Sequence, residues 1–354
     1  MAEEIDLQHA EGIVRHRVGD SRVRISRRGP EAIIIRNAPI RIQLGDLELT
    51  LAGQKHRAEV IATIWDYGAV SICFQVPIGD FPSAGLAPVA ADITSNPQRM
   101  NQLDELARTK SRELVALLLP ALKKPNESNI FEDYVIYFFE KVDGIATAAE
   151  IAQKVDLPVL ILGETQEPLA PETRASILEN IYQYSTNDFV LIDWNSAVIV
   201  EPNGQRDTVD VLEFALTHLL EVRYYDGLLD QRMTQIYDSI EASRRKTWNR
   251  KFDRLSKDAN ILYVEFSEFM ERIDNSFKVV GDFYLARLFR GAVRRFRIPD
   301  WQQNITRKLN LLARVSDLLM GEVNVRRSHY LEAIIIFLIL FEILSAMFKS
   351  GGGH

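Results

Sequence analysis

The sequence predicts an α+β N-terminal domain followed by an all-α helical region and a single C-terminal transmembrane helix. Three observations carry that expectation. Between Ile13 and Pro77 short β-type runs recur, among them AIIIRN, IRIQL, LELTLA, EVIATIW and AVSICFQV, broken by Gly, Pro, Asn and Asp. From Thr208 onward the apolar spacing is almost wholly helical. At the far end Leu331 to Phe348, LEAIIIFLILFEILSAMF, is apolar around its whole circumference.

The elements follow in order. After the β-rich entry a helix is expected from Pro97 to Leu122, with Leu103, Leu106, Ala107, Leu114, Leu117 and Leu118 at helical spacing and Pro125 closing it. EDYVIYFFEKV returns to strand. Short helices at Thr147 to Val155 and Pro171 to Tyr184 then alternate with strands VLIL and DFVLIDWNSAVIVEP, a mixture that reads as α+β. A long helix starts at an Asp207 or Thr208 cap, with Gly227 as a candidate break. Further helices occupy Thr247 to Val280, Phe283 to Phe296 and Trp301 to Val325.

This divides the chain into an α+β domain at 1–204, a helical and coiled-coil region at 205–329, a membrane anchor at 330–349 and a linker scar, SGGGH, reaching 350–354. Two segments inside the first domain are alike: IWDYGAVSICFQVP at 64–77 and LIDWNSAVIVEP at 191–202. Each passes from strand through Asp-aromatic-Gly or Asp-aromatic-Asn into a second strand. Gly68 and Asn195 stand where a positive φ is expected. Internal duplication and shared turn chemistry explain the pair equally well.

The apolar run reads as a membrane span. Its eleven Ile, Leu and Phe residues between Ile334 and Phe348 supply about −3 to −7 kcal/mol of insertion energy. Glu342 subtracts about 3 kcal/mol at most. Arg326, Arg327 and His329 precede the run and Lys349 follows it, which places the bulk of the chain on the cytoplasmic side. The alternative is a buried helix of a large soluble domain. An intramembrane carboxylate is a functional candidate, so Glu342, with Ser345 on its own face, is expected to form hydrogen bonds between helices of an oligomer.

Composition bounds the chemistry. With 47% hydrophobic residues in 354 and a mean hydropathy of −0.09, the chain fills real cores but is not a polytopic membrane protein. Its acidic start, MAEEIDLQHAEG, has neither signal-peptide nor transit character. Lone Cys73 excludes an internal disulfide framework. The six His residues are scattered, without HExxH, Cys pairs, a nucleophile elbow or a Walker loop, so no catalytic, metal or cofactor residue is nominated. Asp66 and Asp193, in the matching turns, are the sole candidates for paired carboxylates, and turn chemistry accounts for both.

Arginine is the most repeated polar feature. Arg15, Arg17, Arg22, Arg24, Arg27, Arg28, Arg36 and Arg41 crowd the first strands, and Arg244, Arg245, Lys246, Arg250, Lys251 and Arg254 flank Trp248. Arg287, Arg290, Arg294 and Arg297, spaced three, four and three apart, form one basic stripe on a helix. Such a stripe meets carboxylates or solvent, the phosphates of lipid headgroups, or RNA. A net charge of −7 argues against a dedicated nucleic-acid binder while allowing a local patch. Ile305, Leu309, Leu312, Ser316, Leu319 and Val323 alternate four and three, the seam of a short coiled coil. They serve either self-association or packing on the chain's own helices. LLEVRYYDGLLD gathers Glu221, Arg223, Tyr224, Tyr225, Asp226 and Asp230 into an expected structural network.

The C-terminal stretch from KVVGDFYLAR through the Trp301 to Leu312 pattern W-x-x-x-I-x-x-K-L-x-x-L to R-R-x-x-x-L-E-x-I-I-I resembles the family called required for meiotic nuclear division. IWDYGAVSICF and LEFALTHLLEVRYYDGLLD resemble upstream parts of that family. The resemblance implies an α+β domain, helices and one C-terminal span, in an inner-membrane homo-oligomer that acts as a tether supporting translation. Without a transit sequence, this chain looks like a bacterial inner-membrane member. No catalytic residue is carried over. The combined expectation is a non-enzymatic, tail-anchored homo-oligomeric scaffold touching membrane lipids. RNA or ribosome tethering is the alternative, and an enzyme on a membrane-proximal substrate the third.

Overall fold

A computed structural model describes residues 2–15, 33–34, 37–79, 83–125, 130–140, 147–243, 260–268 and 283–350, with isolated positions between 254 and 279. It divides into two units: 1–224 with 273–300, and 225–272 with 301–354.

In the first unit strand β1 (Ala2–Ile5) leads into helix α1 (Leu7–Val14). The helix is fixed by Asp6, whose Oδ1 accepts the amides of Gln8 and His9 at 3.0 Å each. Those bonds hold the Asp6 carboxyl below its usual range. Strands β2 (Ile33–Ile34), β3 (Ile40–Leu51), β4 (Gln54–Ile64) and β5 (Val70–Gln75) follow, and the last three form an antiparallel meander. Helix α2 (Ser83–Thr94) comes next, then α3 (Pro97–Leu118), started by Asn96 as N-cap and Pro97 in its first turn. A 3-10 turn (Leu119–Ala121) then delivers β6 (Leu122–Pro125) antiparallel to β1. One core joins Ile5, Ala10, Ile40, Ile42, Ala62, Ile64, Leu114 and Leu118, so α1 and α3 close over β3 and β4.

Strand β7 (Val135–Phe139) is followed by three short helices, α4 (Ala148–Lys154), α5 (Leu157–Leu162) and α6 (Pro171–Leu178). Helix α5 overturns the expected strand VLIL. Asp156 caps its start, Pro158 sits in its first turn, and Gly163 at φ +62° ends it, so local capping outweighs a β-branched run. A Cβ on Gly163 would lie 1.9 Å from Thr94 Oγ1, so the site requires glycine for space as well as for φ. Strands β8 (Ile181–Tyr182), β9 (Phe189–Ile192) and β10 (Ser196–Val200) complete a mixed sheet in the order β7-β10-β9-β8, with β7 and β10 parallel. Leu157, Leu160, Ile161, Ile177, Phe189, Leu191, Val198 and Val200 fill the core between this sheet and its short helices.

Helix α7 (Asp207–Ser243) is continuous through Gly227. The two-residue strand β11 (Lys278–Val279) pairs with β2. Helices α8 (Phe283–Arg295) and α9 (Ile298–Ser350) finish the described chain. A mixed N-terminal region followed by helices is therefore the observed architecture. In the second unit Lys308 Nζ lies 2.7 Å from both Asp226 and Asp230. Burial opposes the Lys308 charge, but the two carboxylates outweigh it and raise its pKa. Tyr225 meets Phe266 edge-on at 5.1 Å, so these residues of LLEVRYYDGLLD are structural.

The membrane span is corrected. Among the described residues no helix is long and apolar enough to cross a membrane, which also removes the tail anchor and the single-pass inner-membrane placement built on it. Helix α9 is long, with 53 residues, but its first half is polar and amphipathic. Ser345 and the side chains beyond Ile343 lie outside the described residues.

Candidate functional site

The β9–β10 hairpin and the end of α8 build the site. In α8 the side chains of Leu285, Leu288, Phe289 and Ala292 are buried, whereas Arg287, Arg290 and Arg294 are exposed on the opposite face. Gly291 lets that helix approach β8: a Cβ there would come within 2.3 Å of the Tyr182 ring and hydroxyl. The Arg287 guanidinium lies 5.9 Å from the centre of the same ring, and Arg294 donates to the Tyr182 hydroxyl at 3.5 Å.

Beyond the helix the chain turns at Arg297, which takes φ +56° although it is not glycine. Its amide donates to Arg294 O at 3.1 Å, and its guanidinium pairs with Asp300 at 2.7 Å. A left-handed residue with a Cβ costs about 1–2 kcal/mol, so the side chain is retained against the preference for glycine at a helix end.

Opposite stands the turn Asp193–Trp194–Asn195. The Asp193 amide donates to Ser196 O at 2.9 Å, and the Tyr134 hydroxyl donates to the carbonyls of Asp193 and Ser196 at 3.0 and 2.7 Å. Burial, with the Asp193 carboxylate nearby, pushes the Tyr134 phenol well above its ordinary pKa and keeps it a donor. Ser196 Oγ donates to Ile161 O at 2.7 Å, and Arg295 clamps the Asp193 carboxylate through Nε at 2.9 Å. The turn was expected to need a positive φ at Asn195. Among the described non-glycine residues, positive φ occurs at Ala52, Lys124 and Arg297 instead, and Gly68 shows +89° as expected. The hairpin closes through its hydrogen bonds alone. Trp194 at the tip is 46% exposed.

Asn180, Trp194, Arg294, Arg295 and Arg297 line an open cleft of about 350 Å³. A second of about 400 Å³ is lined by Arg287, Arg290, Arg294, Tyr182 and Glu179, so Arg294 is common to both. Among the described residues no carboxylate lies within 4 Å of Arg287, Arg290 or Arg294. Guanidiniums and aromatic rings line both clefts, a lining whose chemistry suits an anion.

The other nominated residues are scattered. Asp66 accepts from Asn37 Nδ2 at 2.6 Å in the β4–β5 turn, while Asp193 is held by Arg295, so each carboxylate has its own partner in its own hairpin. Arg41 sits in the first unit between Asp210 at 2.6 Å and Glu213 at 3.2 Å. Arg17, Arg22, Arg24, Arg27, Arg28 and Arg36, and the group from Arg244 to Lys251, lie outside the described residues. Leu309 and Leu312 are buried within the single chain, Glu342 is exposed, and the side chains of Leu319 and Ser345 lie outside the described residues. Burial raises the Cys73 thiol, the opposite of an activated nucleophile. Among the described residues no three His, Cys, Asp or Glu are grouped to hold a metal. Sequence reasoning found the arginine stripe but missed Trp194 and Tyr182, because an aromatic in an Asp-x-Asn turn has no periodicity to mark it.

Residues 1–207 match the model of the family described as uncharacterized protein MJ0711, N-terminal domain. The chain belongs to that family. It is also similar to the uncharacterized protein MJ0711 of Methanocaldococcus jannaschii, with 25% identity over 242 residues, 67% of this chain and 72% of the relative. No solved structure matches the chain. The meiotic-division name and a bacterial origin find no support in these relatives, one of which is archaeal.

Proposed function

We propose that this chain is a non-enzymatic tether whose arginine clefts hold the phosphates of RNA. The observation that supports it is the face of α8 bearing Arg287, Arg290 and Arg294 without a carboxylate partner among the described residues. Like charges three and four residues apart cost a few tenths of a kcal/mol per pair, and a bound polyanion reverses that sign. In a chain of net charge −7 these three cations share one helix face, which focuses the local field. The resemblance of residues 278–348 to a family whose mitochondrial member supports translation is in keeping with ribosomal RNA as the polyanion.

The test is co-sedimentation of the full chain with ribosomes and with purified RNA at increasing salt. Three phosphate contacts give a log–log salt slope near −2. Triple reversal of Arg287, Arg290 and Arg294 to Glu is expected to abolish binding. Retained binding in that variant ends the reading, and capture by anionic vesicles but not RNA moves the site to lipid headgroups.

A second reading is self-association into a homo-oligomeric scaffold. Tyr330, Leu331 and the large apolar residues from Ile334 to Ile343 are each at least 52% exposed. A patch this large marks an interaction surface. Because it surrounds the helix, one groove on one partner covers a single side, and each neighbouring copy in a bundle covers a further one. Size measurement over a concentration series checks this, and a monomer at every concentration removes it.

A further inference from the structure

We propose that the cleft takes single-stranded RNA, with one unpaired base stacked on the Trp194 indole and the adjoining phosphates on Arg294 and Arg297. This rests on the tether reading and adds to it the strandedness of the ligand and the residue that recognises a base.

Two observations carry it. A tryptophan 46% exposed at a hairpin tip leaves apolar surface in water. The turn that carries it is tied by the Tyr134 hydroxyl, the Ser196 carbonyl, the Val135 amide and the Arg295–Asp193 pair. The ring is therefore displayed by a rigid support, so stacking on it sacrifices little further freedom. The second observation is adjacency. Arg294 and Arg297 line the same cleft as Trp194, and Arg294 also walls the cleft that contains Arg287 and Arg290. A strand with its base on Trp194 thus has a continuous line of guanidiniums for its backbone.

Base stacking beside a cationic groove is the chemistry of single-strand recognition. Duplex RNA keeps its base faces inside the helix and presents phosphates and 2′-hydroxyls, which use the arginines and leave the indole idle. A cleft of about 350 Å³ has room for one flipped-out base and its sugar, not for a helix.

Fluorescence anisotropy of the full chain with labelled dodecauridylate and with a 12-base-pair RNA duplex tests the proposal. The single strand should bind at least 10-fold tighter at equal salt. Trp194→Ala should weaken it by roughly 5- to 100-fold while duplex affinity and salt slope stay as they were. Trp194→Phe should recover most of the loss, and an unchanged melting midpoint shows that both variants fold. Equal affinity for the two RNAs, or a Trp194→Ala variant that binds the single strand as tightly as the parent, overturns the stacking proposal. If the Arg294→Glu, Arg297→Glu variant then still loses binding, the phosphate tether stands without it. If that variant also binds normally, both fall.

Discussion

Arg41 and the arginines of α8, all in the first unit, meet opposite surroundings. Arg41 on β3 is enclosed by Asp210 and Glu213 of α7, and the Ser71 hydroxyl donates to Glu213 in turn. Burial works against the Arg41 charge, but the two carboxylates outweigh it and raise its pKa. Asp210 is so deeply buried that its own carboxyl is pushed up despite the guanidinium. Arg287, Arg290 and Arg294 face open clefts in which Glu179 lines a wall but no carboxylate among the described residues comes within 4 Å of them. Arg41 ties the β3–β5 meander to α7, and the α8 arginines are the ones we propose for an external anion. The residue type is the same; the counter-charges decide what it does.

That contrast predicts different responses to substitution. Removing Arg41 strands two acidic groups in a low-dielectric site, so Arg41→Met should destabilise the protein by about 3–5 kcal/mol in denaturant unfolding. Arg294→Glu should change stability by less than about 0.5 kcal/mol while weakening RNA retention. Equal losses of stability would erase the distinction.

Acid should loosen the packed side of the comparison first. His218 on α7 is buried, and burial lowers its pKa to about 4. Between about pH 6.5 and 4 the unfolded chain takes up a proton that the folded chain refuses, so stability falls as pH falls through that window and levels off below it. The drop attributable to His218 is on the order of 3 kcal/mol and should disappear in His218→Gln, measured by unfolding at pH 7 and pH 4.5.

Gly291→Ala probes the seat of the basic face. Helix propensity returns about 1 kcal/mol, but the new methyl meets a buried Tyr182 ring at 2.3 Å, and overpacking of that kind costs up to about 3 kcal/mol. The expected net loss is about 1–2 kcal/mol, seen as a lower melting temperature. Arg297→Gly should show the smallest effect and the reverse sign. Relief of φ +56° is expected to raise stability by about 0.5 kcal/mol while RNA binding weakens, a trade of fold against site.

How much of this was readable beforehand varies with the element. The start of α3 at Pro97 followed from the proline and the leucine spacing, but the helix ends at Leu118 and Leu122, its expected end, opens a strand. Arg287, Arg290 and Arg294 share a helix face as their intervals predict, whereas Arg297 lies past the helix end. The strand expected at VLIL became a helix because its caps at Asp156 and Gly163 outvoted composition. The apolar run at Leu331–Phe348 was read from hydropathy as a span, yet no described helix is long and apolar enough to cross a membrane. Trp194 was counted as turn chemistry because nothing in DWN tells whether an indole is buried or displayed.

By itself the sequence determined where chain segments become helix or strand and where cationic side chains share a face, since those depend on neighbours within a few residues. Only the tertiary structure decided which arginines are neutralised. Asp210 and Glu213 lie more than 160 positions from Arg41, and Asp193 lies 102 from Arg295. Charge compensation is set by distance in space, and a linear sequence does not carry it.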